Sequence, residues 1–413
     1  MIKKLGLKNY ASFGFGQIIS LLTPIIIAPR LISVCGIENW GKIGVGISIF
    51  LILNIFLDFG NLITGIKTIS TNKNNPLKIT QYLSAIYQFK FVVLSALLAF
   101  FIIIIIILNK EVFLYLFGTI YLVSLASNPI WYYQALEQFK KINTIIIISR
   151  LTQIILIYLL IINKNDYIYY FLIIGLSNLV VNIYFLRKIF LQNKINIISF
   201  SKTNIVEIFK SEFSIVLSNL SISLYVNIPI LIISSLLGNY QSGIYKIAEM
   251  IVGLFRSYLS VFFAVSFPRF CIQYKNDKKE GLNFIQLINK VNIAALFTLS
   301  ALLLGVYLIL PLELYFPSKT IEIIDFVIKF IPIPIIIALN IPFYQLLLYN
   351  SKEKEISYLS MITVVIMFVS CYFLTLIYQL NGSLISLYIV ETFITGSIIL
   401  YYYKYIKTTN QNI

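Results

Sequence analysis

The chain has 413 residues, of which 59% are hydrophobic and only 12% are charged. Soluble globular domains carry about 25% charged residues, so the composition excludes a soluble protein and indicates a membrane protein. The net charge is +16, but Lys and Arg are concentrated in connections on one predicted side of the membrane, so we do not expect nucleic-acid binding. The chain has no histidine and only three cysteines, so we expect no metal site and no cofactor.

Apolar runs of about 20 residues, the length that crosses a bilayer as a helix, recur along the whole chain. Short connections join them, and they lack the alternation typical of barrel strands. We therefore predict an all-α polytopic membrane protein with about 12 transmembrane helices. The predicted spans are 10–32, 43–66, 82–108, 112–136, 142–162, 167–190, 212–236, 240–266, 287–311, 324–349, 356–379 and 382–404.

The longest polar connection lies near the middle of the chain and leaves six predicted spans on each side. We predict an N-terminal six-helix bundle at 1–195, a cytoplasmic linker at 196–211 and a C-terminal six-helix bundle at 212–413, arranged around a central cavity.

A weak internal repeat supports two related halves. Gly36 and Gly41 lie between the first two spans, and Gly238 and Gly243 lie at the corresponding place in the second half. Each pair forms Gly-x4-Gly at a predicted tight turn, as expected for a transporter built from two similar bundles.

Basic residues indicate the orientation, because cytoplasmic loops retain Lys and Arg. One predicted side is rich in them, for example Lys73, Lys140 and Lys188, whereas the other side has few, such as Lys110 and Lys164. We expect a multi-pass membrane protein with both termini in the cytoplasm.

Prolines interrupt the span that precedes each glycine turn. Pro24 and Pro29 lie in the first span and Pro229 lies in the seventh. Proline frees a backbone carbonyl and bends a helix, so these residues are candidates for gating, with packing kinks as the alternative.

Arg256 lies at the centre of its apolar segment, where a charge is costly and indicates a function. Glu249 is about 10 Å away along the same helix and has a closer partner in Lys246. Arg256 is therefore a candidate for binding an anionic substrate, or it pairs with an acid on another helix such as Asp58 or Glu391. The three acids Asp58, Glu249 and Glu391 are candidates for ion coupling.

Other basic residues lie nearer the span ends. Arg150 in the fifth span and Lys90 in the third are close enough to an interface to snorkel. Arg30 near the end of the first span is an interfacial anchor or a guard of the transport pathway. Because guanidinium binds phosphate bidentately, several such cations around one cavity would favour an anionic cargo, which makes Arg150 and Arg30 candidates for substrate binding.

The segment GIENWGKI at 36–43 matches a phosphate-binding loop at all positions but one. Ile43 cannot supply the hydroxyl that holds magnesium, and the segment connects two spans instead of a strand and a helix. We therefore do not expect ATP hydrolysis.

Three stretches resemble the bacterial polysaccharide (O-antigen-type) flippase family of the multidrug/oligosaccharidyl-lipid/polysaccharide exporter superfamily. Residues 29–70 contain a proline-to-glycine turn and then Asp58, Gly60 and the basic Lys67. Residues 128–143 contain the WYYQ cluster, and residues 238–251 contain the second Gly-x4-Gly turn.

The resemblance implies two six-helix bundles that move an undecaprenyl-diphosphate-linked oligosaccharide to the outer leaflet by alternating access. Partners would be the lipid-linked oligosaccharide, membrane lipids, and the polymerase and glycosyltransferases of polysaccharide assembly. Lys67 would contact cargo, although the family often has arginine there. A multidrug/cation antiporter of the same superfamily is the main alternative, and a membrane enzyme of polysaccharide assembly is the second.

The aromatic cluster Trp131, Tyr132 and Tyr133 has two interpretations. Aromatic rings bind sugar faces, but Trp and Tyr also form belts at membrane interfaces. We expect an interfacial belt.

Overall fold

The computed structural model describes residues 2–108, 110–193, 202–309 and 317–407. The secondary structure in these ranges is helical, without a β-strand, which confirms the all-α prediction. Eleven stretches of the described residues are long and apolar enough to cross a membrane.

The chain forms two compact units, Met1–Asn227 and Ile228–Ile413. A π-helical turn at Asn61–Gly65 and a 3-10 turn at Lys164–Tyr169 connect helices of the first unit. Its helices are α1 Ile2–Cys35, α2 Ile37–Asp58, α3 Ile66–Thr71, α4 Pro76–Leu108, α5 Val112–Ala126, α6 Ile130–Ala135, α7 Phe139–Leu160 and α8 Tyr170–Gln192.

The boundary between the units lies inside helix α9, Lys202–Leu237. Residues 202–211 of the predicted linker belong to this helix, and residues 196–201 lie outside the described ranges. The division into bundles at 1–195 and 212–413 stays a prediction. The second unit continues with α10 Asn239–Asn276, α11 Lys278–Ile309, α12 Ser318–Ile328, α13 Ile333–Tyr349, α14 Glu353–Tyr378, α15 Leu380–Tyr401 and a π-helical turn at Tyr402–Lys407.

A single glycine joins two helices at corresponding places in the two halves. Gly36 separates α1 from α2 with φ 85° and ψ 162°, and Gly238 separates α9 from α10 with φ 89° and ψ −179°. This backbone region is essentially restricted to glycine. The tight turns expected from the repeat are therefore present at both positions.

The predicted span 324–349 is broken. Helix α12 ends at Ile328 and α13 begins at Ile333, with 3-10-like hydrogen bonds from Phe330 N to Val327 O and from Ile331 N to Ile328 O between them. Pro332 and Pro334 lack the N–H groups that a continuous helix would need here. The predicted tenth span is therefore two shorter helices, which accounts for eleven long spans instead of twelve.

The three prolines predicted to gate do not break their helices. Pro24 and Pro29 lie inside α1, and Pro229 lies inside α9, and both helices continue through them. Pro24 and Pro29 are exposed, whereas Pro229 is buried. Their gating role stays a prediction.

Within the first unit, α8 packs closely against α5. A Cβ atom added at Gly175 would lie 2.8 Å from the backbone nitrogen of Tyr121. A small residue is needed for this backbone approach, as is common between membrane helices. The contact holds α5 and α8 together around a polar pocket that Arg150 of α7 also lines.

Candidate functional site

Arg256 of α10 forms an ion pair with Glu391 of α15 inside the second unit. Its Nη2 atom donates to Glu391 Oε1 at 2.5 Å. The Arg256 side chain is 24% exposed, whereas that of Glu391 is 3% exposed. The structure thus supplies an acid on another helix as a partner of Arg256, and the guanidinium is the more accessible member of the pair.

Glu249 pairs with Lys246 on the same helix. The Lys246 Nζ atom lies 2.9 Å from Glu249 Oε2, an i,i+3 contact. This confirms the partner expected from the sequence spacing. Both candidate coupling acids of the second unit, Glu249 and Glu391, therefore have a basic partner within hydrogen-bond distance.

Asp58 is the last residue of α2 and begins a distorted segment of the first unit. Phe59 and Gly60 both have positive φ, 42° and 82°, before the π-helical turn. Asn61 donates its side-chain N–H to the backbone carbonyl of Asp58. Lys67 follows on the short helix α3, where it is exposed. The local geometry keeps Asp58 and Lys67 on separate helices, and their roles stay predictions.

Lys90 of α4 is a buried charged residue of the first unit. It is 4% exposed, so the expectation that it snorkels is wrong. Its Nζ atom lies 5.8 Å from the ring centroids of both Tyr87 and Trp131, within cation–π range. It also attracts Asp58 electrostatically. The i,i+3 spacing of Tyr87 and Lys90 and the WYYQ motif were the sequence signals for this aromatic environment.

The aromatic cluster itself is buried. Trp131, Tyr132 and Tyr133 are 2%, 5% and 0% exposed and belong to a core that includes residues of α4, α7 and α8. The Tyr133 hydroxyl donates to the Phe185 carbonyl at 3.2 Å. The expectation of an interfacial belt is therefore wrong, and these rings pack the first unit.

Arg30 joins α1 to the end of α7. Its Nη2 atom donates to the carbonyl of Ile161 at 3.1 Å, and the guanidinium lies 5.7 Å from the Tyr158 ring centroid. Carbonyls at a helix C-terminus have no partner within the helix, and a cation there is favoured by the helix dipole. Arg30 thus acts as a helix cap in this structure, and its role as a guard stays a prediction.

Arg150 of α7 lies in a polar environment. Its Nη1 atom donates to Gln153 Oε1 at 2.9 Å, and Gln153 Nε2 donates to Asn178 Oδ1 of α8 at 2.9 Å. Arg150 and Asn178 line a pocket of about 100 Å³ between α5, α7 and α8. The spacing of Asn178 and Asn182, one helical turn apart, was the sequence signal for this polar wall.

The described residues contain no group of three or more His, Cys, Asp or Glu side chains that could hold a metal ion. In each unit, the basic side chains described above contact acids, amides or aromatic rings. This chemistry suits binding of charged or polar groups.

Comparison with known proteins gives a relative that matches this chain over nearly its whole length. The chain is 24% identical over 386 residues to a protein of Escherichia coli (strain K12) named "Putative O-antigen transporter", covering 92% of both chains.

Solved structures share the fold at low sequence identity. The inward-facing conformation of a multidrug resistance MATE family transporter of the MOP superfamily matches with a TM-score of 0.69 and 13% identity, over 95% of this chain and 96% of that chain. The outward-facing conformation of such a transporter matches with a TM-score of 0.59 and 11% identity, over 96% and 94%. These similarities establish a MATE-like helical fold.

A family model described as "Polysaccharide biosynthesis protein" matches residues 7–273, which is more than half of the chain. The chain belongs to the polysaccharide biosynthesis protein family.

Proposed function

We propose that this protein is a flippase that moves an undecaprenyl-diphosphate-linked oligosaccharide from the inner to the outer leaflet of the bacterial cytoplasmic membrane. The family, the relative named as an O-antigen transporter and the MATE-like fold all support transport of a lipid-linked saccharide. On this proposal the protein is a transporter without a catalytic site. It uses alternating access, and an ion gradient or the membrane potential supplies the energy.

The arginine within helix α10 is the main reason for proposing an anionic cargo. Arg256 lies in a hydrophobic part of the helix, where a charge is retained only for a strong reason. Its partner Glu391 is almost fully buried, but Arg256 itself is 24% exposed. We infer that, during transport, the diphosphate of the cargo replaces Glu391 as the partner of the Arg256 guanidinium.

This exchange explains why an arginine suits the position. A guanidinium keeps its charge in a poorly hydrated site and binds carboxylate and phosphate in the same planar, two-point manner. Glu391 would neutralise Arg256 when no cargo is bound, and the cargo would do so when it is bound. The polyprenyl chain remains in lipid throughout, so only the glycan and the diphosphate need a polar path.

The remaining predicted residues have supporting roles in this proposal. Lys67 is exposed and can attract the diphosphate, and Arg30 fixes α1 against α7 near the pathway. Glycosyltransferases supply the cargo on the cytoplasmic side, and a polymerase consumes it on the outer side. Both termini lie in the cytoplasm.

The test is complementation of a bacterial strain that lacks its own flippase for a defined lipid-linked glycan. The native chain should restore surface glycan and remove the lipid-linked intermediate that accumulates in the inner leaflet. A strain that gains resistance to cationic drugs without any restored glycan would contradict the proposal and favour a multidrug antiporter.

A further inference from the structure

The polar pocket beside Arg150 has features that the transport of a lipid-linked glycan does not explain. It lies within the first unit, between α5, α7 and α8, and has a volume of about 100 Å³. Arg150, Ser149, Asn128, Asn178 and Asn182 contribute its polar wall.

A chain of hydrogen bonds fixes the orientation of the amides. Arg150 donates to the oxygen of Gln153, so the Gln153 amide nitrogen faces Asn178 and donates to its Oδ1 atom. Gln153 is buried and has both its groups engaged. The oxygen of Asn178 is therefore committed to Gln153, which leaves the NH₂ group of Asn178 as a donor to the pocket that it lines.

Asn128 and Ser149 also offer hydrogen-bond donors to the pocket. Asn128 accepts the backbone N–H of Ile130 through Oδ1 at 3.0 Å, which leaves its NH₂ group for the pocket. Ser149 is 4% exposed, and its hydroxyl has no hydrogen-bond partner among the described residues. A buried hydroxyl normally has a partner, so Ser149 indicates a ligand in the pocket. Asn182 differs, because its NH₂ group donates to the carbonyl of Ser124.

The charge of the wall is positive. No Asp or Glu lines the pocket, and within the described residues no carboxylate lies within 4.0 Å of the Arg150 guanidinium. A cation inside a membrane helix is costly unless an opposite charge accompanies it. An arginine surrounded by N–H and O–H donors is therefore a site for an anion.

The size of the pocket restricts the anion. Sites for organic ligands usually have about 300–1,000 Å³, whereas a water molecule takes about 30 Å³ of liquid volume. This volume has room for a small inorganic anion together with water molecules. A lipid-linked diphosphate carries a saccharide and a polyprenyl chain, which this volume does not hold.

The geometry points to a binding site for a small inorganic anion, such as chloride, at Arg150, Ser149, Asn128 and Asn178. The bound anion would neutralise Arg150 and tie α5, α7 and α8 together. Arg150 would therefore serve this site and not the cargo.

The test uses the purified full-length protein in detergent, with equilibrium dialysis of radioactive chloride and thermal unfolding in chloride or gluconate at equal ionic strength. The native chain should bind about one chloride, and its unfolding temperature should rise saturably with chloride. Arg150→Gln should abolish both effects. Arg187→Gln, a matched change at an exposed arginine of α8, should preserve both.

Ser149→Ala provides a second test if Arg150→Gln fails to fold. Loss of one hydrogen bond to a charged ligand should weaken chloride binding by about tenfold. Equal chloride responses in the native chain, Arg150→Gln and Ser149→Ala would overturn the site. These measurements do not depend on glycan export, so they can fail while the proposed flippase function holds.

Discussion

Arg256 and Glu391 are 135 positions apart in the chain, yet their side chains meet at 2.5 Å between α10 and α15. Glu391 is almost completely buried, whereas a quarter of the Arg256 side chain remains accessible. The Glu391 carboxylate therefore needs the Arg256 guanidinium as its partner, because a buried charge without a partner strongly destabilises the folded protein. This dependence makes the structural and transport roles of Arg256 separable by mutation.

Arg256→Ala should lower the unfolding temperature of the purified protein and abolish surface glycan export. The stability loss, on the order of 3 kcal/mol, comes from the Glu391 charge that is left behind. Arg256→Lys should export at an intermediate level, because it keeps the charge but loses the planar grip on phosphate.

The double variant Arg256→Ala, Glu391→Gln is the decisive control for that pair. It should recover most of the stability, since no buried charge remains, and yet stay inactive in export. If the double variant exports glycan at the native level, Arg256 serves only to neutralise Glu391 and does not bind cargo.

Trp131→Ala should destabilise the protein by about 3–5 kcal/mol, the usual effect of removing a large buried aromatic side chain. Tyr184→Ala is the matched control, because Tyr184 belongs to the same unit but is 57% exposed. Thermal unfolding of the two purified variants measures the difference. Similar small effects in both would show that Trp131 is an interfacial residue after all.

Gly36→Ala and Gly238→Ala should each destabilise the protein by about 1–3 kcal/mol through backbone strain. No atom lies within 4 Å of a Cβ added at either position, so a steric clash would not contribute. Asparagine should be tolerated no better than alanine, because ψ near 180° lies outside the left-handed helical region that asparagine accepts. Gly305→Ala, in a helix with open space around it, should be neutral or stabilising. Unchanged stability of Gly36→Asn would contradict the strained turn.

Cytoplasmic termini predict a specific labelling pattern in intact cells. An epitope tag at either end should be protected from external protease and become accessible only after the membrane is opened. A tag inserted beside Lys110, on the opposite predicted side, should be accessible from outside. The reverse pattern would contradict the orientation derived from the distribution of Lys and Arg.

Features that depend on neighbours along the chain were predictable. The Lys246–Glu249 pair follows from an i,i+3 spacing, and the turns at Gly36 and Gly238 follow from glycine between two apolar runs. The break at Pro332 has an equally local cause, although its effect of dividing a span in two was not anticipated.

Burial was harder to predict, because an aromatic or basic residue near a span end is compatible with either an interface or a packed core. Lys90 and Trp131 were placed at the interface by their sequence position, but α4 and α6 bring them together in the interior of the first unit. The packing of α4 against α6 buries these two residues, and this packing depends on both helices and cannot be derived from either segment alone.

The sequence by itself determined that this is a helical membrane protein with arginine inside its spans, because hydrophobic length and residue spacing are properties of the chain. Only the tertiary structure decided what those arginines contact. Arg256 meets Glu391, Arg30 caps α7, and Arg150 lines a pocket of donors. Each contact joins residues of different helices, so it depends on how the helices pack and not on the order of residues within any one of them.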